Sequence, residues 1–105
     1  MTNLDLTNKT CLPSLKLLGD FWTLRIVDAL SDSPLHYCAL QRAAGNVNPV
    51  TLTNRLKKLE EQHLVMRSEE SRTDVTYSLT PLGVEILPVI KAINSFAVKA
   101  RKASA

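Results

Sequence analysis

Residues 48–83 limit the possible folds of this chain more than any other segment, because both ends of a helix are marked there and two strand-like pieces follow. Asn48 suits the N-cap position, where its side chain accepts from the free N–H groups of the first helical turn. Pro49 suits the first helical position, where its missing N–H costs nothing. At about 100° per residue, Leu52, Leu56, Leu59 and His63 fall within a narrow arc, so this fourth helix is expected to bury all four. Thr51, Asn54, Lys58 and, toward its edge, Lys57 occupy the opposite face, with Arg55 on the flank. Met66-Arg67-Ser68-Glu69 and Thr76-Tyr77-Ser78-Leu79 read as two strands around a tip at Ser71-Arg72-Thr73-Asp74. Thr80 as N-cap and Pro81 at the first position then open the last helix.

The remainder is helical in pattern. Residues 1–10 are polar and read as a flexible arm. Leu12, Leu15 and Leu18 recur at helical spacing, and Gly19 ends that first helix. Trp22 to Leu30 forms a second, with Trp22, Ile26, Ala29 and Leu30 on one face and Arg25 and Asp28 elsewhere. Ser31-Asp32-Ser33-Pro34 is a turn, and Leu35-His36-Tyr37 a minimal strand. A third helix runs from about Cys38 to Ala44 and is closed by Gly45. The last helix carries an apolar stripe of Leu82, Ile86, Val89, Ile90, Ile93, Ala97 and Ala100. Pro88 lies inside it and is expected to kink it one turn upstream. Helices with one late β-ribbon make an α+β, mostly helical chain. An exposed helix with a polar outer face, backed by a two-stranded wing, is the pattern of a winged helix-turn-helix.

Length allows one domain, residues 11–105, whose final helix at about 81–103 serves dimerisation. A net charge of +3 and a pI near 9.1 are compatible with an acidic partner, but the placement of the charge carries the argument. Met1 to Thr10 lacks an apolar run behind a basic start, so no secretory leader is read. Apolar stretches are interrupted by Pro, Lys or Asp short of a membrane span, so no membrane partner is expected. The two cysteines, Cys11 and Cys38, lack CxxC spacing and read as reduced thiols in a cytoplasm. His36, Cys38 and His63 match no structural zinc spacing, and a histidine satisfied by ordinary hydrogen bonds is the expectation. Glu60-Glu61 and Glu69-Glu70 are adjacent and point apart, and neither a Gly-rich phosphate loop nor a nucleophile motif is present. No enzyme activity, metal or cofactor is therefore expected.

Duplex DNA is the partner that the fourth helix fits. A major groove about 12 Å wide admits one helix, whose side chains read base edges. Thr51 and Asn54 suit base edges, Arg55 and Lys58 suit phosphates or guanine, and Asn48, Thr53 and Lys57 share the same surface. Arg72 at the ribbon tip is placed for the adjacent minor groove or backbone. Arg67 could reach DNA in the same way as the tip or equally pair with Glu69 across the strand surface. An ordinary solvated face is the plain alternative. A winged helix that binds proteins and never DNA is another, and it would need an apolar outer face, where only Val50 stands. A third is a regulator with a small-molecule pocket between dimer helices. The terminal stripe is too long for one small core, so Ile90, Ile93 and Phe96, joined by Leu12, Leu15 and Leu17, are expected to face a second subunit.

Several strings in this chain resemble the HxlR-type winged helix transcription regulators of prokaryotes. They are Cys11 ahead of the first helix, Gly19-Asp20-Phe21-Trp22-Thr23-Leu24, and Leu52-Thr53-Asn54-Arg55-Leu56-Lys57-Lys58-Leu59-Glu60. Leu64-Val65 then enters the wing and Tyr77-Ser78-Leu79-Thr80-Pro81-Leu82-Gly83 leaves it, so the likeness covers roughly residues 11–95. The chain departs from the family where Leu12 separates Cys11 from Pro13, where Val50 replaces a common basic residue, and where Cys38 replaces a hydroxyl cap. The resemblance implies a homodimeric regulator on a pseudo-palindromic operator. It also makes Cys11 a redox candidate, as in a subset of the family. Lys9 and the positive end of a helix beside Cys11 favour its thiolate. The other reading of Cys11 is a small residue at a dimer contact, and Cys38 reads as a packing or capping residue.

Overall fold

Three helices each contribute one apolar face to the core, and their spacing explains which residues go inside. In the computed structural model, which describes residues 11–104, α1 spans Cys11–Leu18, α2 Phe21–Ala29, α3 Tyr37–Ala43 and α4 Pro49–Glu61. Ile26 and Val27 of α2, Leu40 of α3, and Leu52 and Leu59 of α4 are fully buried; Leu56 is nearly so. Ala44, Val47, Leu64, Val65 and Ile86 complete the same cluster. The expected arm at 1–10 lies outside the described residues, as do the side chains of Cys11 and Leu12 in the first turn of α1.

The turn between α3 and α4 needs residues that tolerate left-handed backbone. Gly45 (φ 104°) and Asn46 (φ 56°) supply it. Their N–H groups bond back to Arg42 and Gln41 carbonyls at 3.0 and 2.9 Å. The Gln41 side chain then donates to the Val47 carbonyl at 2.9 Å, which fixes the path into α4. Asn48 caps α4 as the sequence predicts, accepting from the Val50 N–H at 2.8 Å.

His63 is not on the core face of α4. The helix stops at Glu61, and His63 is an exposed residue in left-handed backbone (φ 60°) just beyond it. The helical repeat therefore ends before its fourth member, and Leu64, reversed into the next strand, takes the buried place.

Strands β1 (Leu35–His36), β2 (Val65–Ser71) and β3 (Asp74–Leu79) form one antiparallel sheet in the order β1-β3-β2. The minimal strand expected at 35–37 is therefore present, and it joins the two-stranded wing to make a three-stranded sheet. β1 pairs Leu35 with Tyr77, a partner too distant along the chain for local pattern to show. β2 and β3 extend further toward the tip than their apolar alternation suggests. Backbone pairing continues through Ser71↔Asp74, past an irregularity between Glu69 and Ser71.

The last helix is broken rather than merely kinked: α5 covers Pro81–Val84 and α6 Leu87–Ser104. Pro88 has no N–H for the carbonyl one turn back, and the chain resets through a Val89 N–H to Ile86 carbonyl bond of 3.0 Å. Ile86 is buried and Leu87 and Ile90 pack on the core, but none of α6 is buried. Taken across the break, Pro81–Ser104 is 24 residues, long and apolar enough by length and composition to cross a membrane, contrary to the sequence expectation. Glu85 and Lys91 within it and the cations Lys99, Arg101 and Lys102 at its end fit a surface helix with one apolar face better than a span.

Candidate nucleic-acid interface

The outer face of α4 is presented by what holds its two flanks. On one flank the Tyr37 hydroxyl donates to the Pro49 carbonyl at 3.2 Å and lies 3.3 Å from the Thr53 hydroxyl. On the other, Arg55 donates from Nε to Asp20 Oδ2 at 2.8 Å and from a terminal nitrogen to Oδ1 at 3.1 Å. Between them Asn54, Lys57 and Lys58 are exposed and, among the described residues, have no side-chain hydrogen-bond or ion-pair partner, and Thr51 is half-buried. Asn48 is exposed, with its side-chain oxygen committed to the cap. Val50 is the one large apolar side chain on this face, 70% exposed.

Arg55 stands on the flank of α4, as its spacing predicts, and there it is half of a bidentate ion pair with about three-quarters of its side-chain surface covered, a partner the sequence did not show. Asp20 is doubly used. It caps α2 by accepting from the Thr23 N–H and hydroxyl, both at 2.8 Å, and it binds Arg55. The Arg55 guanidinium, helped by Thr23 and opposed by desolvation, lowers the Asp20 carboxyl from its ordinary 3.8 to about 2. The pair borders an open cleft of about 490 Å³ between α1, the start of α2 and α4, where Lys16, Lys58 and Glu61 also stand.

The wing is nearly neutral. Arg67 is paired with Glu69 at 2.9 Å, the second of its two sequence alternatives, and Glu70 and Asp74 are exposed. Arg72, exposed in the two-residue turn, is the remaining cation of the tip. At the base of the wing His36 Nδ1 lies 3.1 Å from the Val75 carbonyl, and its Nε2 lies 3.8 Å from Asp74. Cys38 neither packs nor caps: it is exposed, and the N-cap of α3 is His36, without a side-chain bond. Among the described residues no three His, Cys, Asp or Glu side chains converge on a metal position.

Sequence reasoning missed three residues. Tyr37 and Asp20 hold α4 from elements outside it. Arg25 ties α2 to the helix-turn-helix bend through an Nε bond of 3.0 Å to the Ala44 carbonyl. Only Asp20 carried a local signal, an acid directly before a helix start.

Residues 17–104 match the profile of the HxlR-like helix-turn-helix family. The chain belongs to that family. Its members are transcriptional regulators of the helix-turn-helix type and not enzymes, and this chain is one of them. An HTH-type transcriptional regulator of Halalkalibacterium halodurans is 34% identical over 89 residues, covering 82% of this chain and 79% of that protein. The regulator YodB of Bacillus subtilis is 29% identical over 83 residues, 77% of this chain and 74% of its own. Reduced YodB superposes with a TM-score of 0.76 at 26% identity, over 86% of this chain and 90% of that one. Its quinone-bound form gives 0.76 at 25%, over 88% and 99%. A transcriptional regulator from Porphyromonas gingivalis, described as of the MarR family, gives 0.80 at 27% identity, over 92% and 97%.

Proposed function

We propose that this regulator binds a pseudo-palindromic DNA operator as a homodimer, with α4 in the major groove and Arg72 at the flanking backbone or minor groove. The observation that carries the reading is the uncommitted polar stripe Asn54, Lys57 and Lys58, held outward by bonds on both flanks of its helix. Asn54 pairs with a base edge and supplies sequence preference. The lysines neutralise phosphates and supply affinity through counterion release. The protein-only alternative has little support, because Val50 alone gives that face apolar surface. A regulator of this kind works in the cytoplasm.

Dimerisation is supported by exposed apolar residues on α1 and α6: Leu15 at 42%, Ile93 at 46% and Phe96 at 73%. A domain this small gains stability by covering such a face with a second copy. Two-fold symmetry then places the two α4 helices about 34–36 Å apart on one side of the duplex.

The reading is tested on an operator selected by the wild-type protein from a random pool. Asn54→Ala is expected to weaken that operator by about 1–3 kcal/mol and leave random DNA nearly unchanged. Lys58→Ala is expected to weaken both alike and flatten the salt dependence. Equal retardation of the wild type and the double variant in a gel shift would remove α4 from the interface.

Quinone-bound YodB supports a redox or electrophile response here, with Cys11 as the reacting thiol. Quinone is expected to release DNA from the wild type and from Cys38→Ser but not from Cys11→Ser. Release of the wild type and Cys11→Ser at one dose would make Cys11 structural.

A further inference from the structure

Two features of the Asp20–Arg55 pair go beyond what a helix cap requires. A cap needs one acceptor for the first-turn N–H groups, and Thr23 already occupies Oδ2 through both of its donors. Yet both carboxylate oxygens also face Arg55, across two elements that are otherwise joined by apolar packing. Arg55 is on the same flank of α4 as the half-buried Thr51, one turn from the exposed Lys58, at the mouth of the open cleft. A guanidinium there, if unpaired, has the reach and the donor geometry for a phosphate. Paired, it brings a net charge of zero to the helix. Should it leave for a phosphate, the carboxylate stays behind unpaired and repels the same backbone.

We propose that Asp20 withholds Arg55 from DNA, so that this pair limits non-specific phosphate binding and sets the ratio of operator to random-sequence affinity. Asp20 is then a positioning residue that acts through Arg55. The inference rests on the reading of α4 as the DNA-binding helix. A paired flank and an unpaired lysine stripe divide the cations of α4 into one that orients the helix and two that bind. Because the carboxyl is held near 2, it stays ionised throughout the neutral range and the restraint is always in place.

Asp20→Asn is the informative variant, because asparagine caps a helix as well as aspartate and keeps an acceptor for Thr23 while losing the charge. Binding to random-sequence duplex is measured against salt. The slope of log affinity against log salt is expected to steepen by about 0.9, one added phosphate contact. Random-sequence affinity at low salt should rise several-fold more than operator affinity, so the specificity ratio falls. In Asp20→Asn/Arg55→Gln the slope should return to that of the wild type, which a merely loosened fold would not produce. An unchanged slope in Asp20→Asn, or a steepened slope that persists in the double variant, would overturn the proposal. Lys58→Ala separates the two readings. If it flattens the slope while Asp20→Asn leaves it unchanged, α4 binds DNA and only the restraint is wrong. If neither changes the slope, the DNA reading has failed and takes this inference with it.

Discussion

Replacing Gly83 with alanine is expected to destabilise the domain by about 3 kcal/mol, lowering the melting temperature by roughly 12–24 °C. A Cβ on Gly83 would run into the Leu64 carbonyl, a backbone group that cannot swing aside. That carbonyl is engaged already, accepting the Thr80 N–H at 3.1 Å, while the Thr80 hydroxyl donates to the His63 carbonyl at 2.6 Å and accepts the Gly83 N–H at 3.0 Å. Relief would require lifting α5 off the end of α4 and breaking these bonds together. With a total stability of about 5–15 kcal/mol for a domain, the loss is a large share. Thermal denaturation followed by circular dichroism measures it. A variant melting within about 3 °C of the wild type would show that the junction yields.

Truncation after Pro88 is expected to abolish the proposed dimer and lower affinity for the proposed operator by about 10²–10⁴-fold, the factor that simultaneous engagement of two half-sites contributes. It removes Ile93 and Phe96 from the exposed face of α6, and Ile90 from the edge of the core. Because loss of Ile90 also disturbs packing, Ile93→Glu/Phe96→Glu is the cleaner companion: both residues are exposed, so the monomer should stay folded. Light scattering gives the mass and a gel shift the affinity. A monomeric variant that still binds the operator tightly would place the second half-site contact elsewhere.

The parts of this fold that were legible in the sequence are those specified by neighbours along the chain. Asn48 and Pro49 start α4, Leu52, Leu56 and Leu59 orient it, and Thr80 and Pro81 start α5, all through bonds spanning a turn or less. The outward placement of Asn54 and Lys58 follows from the same periodicity. Illegible were the features decided by tertiary contact. His63 continues the apolar repeat in spacing but falls beyond a helix end set by the reversal into β2. β1 finds β3 across the intervening helices, which turns a ribbon into a sheet. Arg55 looks like any basic residue on a helix flank until α2 brings Asp20 to it from 35 residues away. Tyr37 reaches Thr53 in the same non-local way. Pro88 announced a disturbance one turn upstream, but that Ile86, at the break itself, is buried in the core is a tertiary feature the local pattern does not show.

Tyr37 and Asp20 grip side chains of α4 that are two positions apart, hence about 160° apart around its axis. A rod held at two nearly opposite points cannot roll. The side chains that α4 offers to a groove are therefore aimed by the fold itself. In the proposed dimer, control of DNA binding then falls to where each domain is carried as a solid piece. Leu87 and Ile90 seat the start of α6 on the core, so in the proposed dimer each domain moves with its own α6, the vocabulary of recognition stays constant, and the span between its two readers is the quantity that a signal can tune.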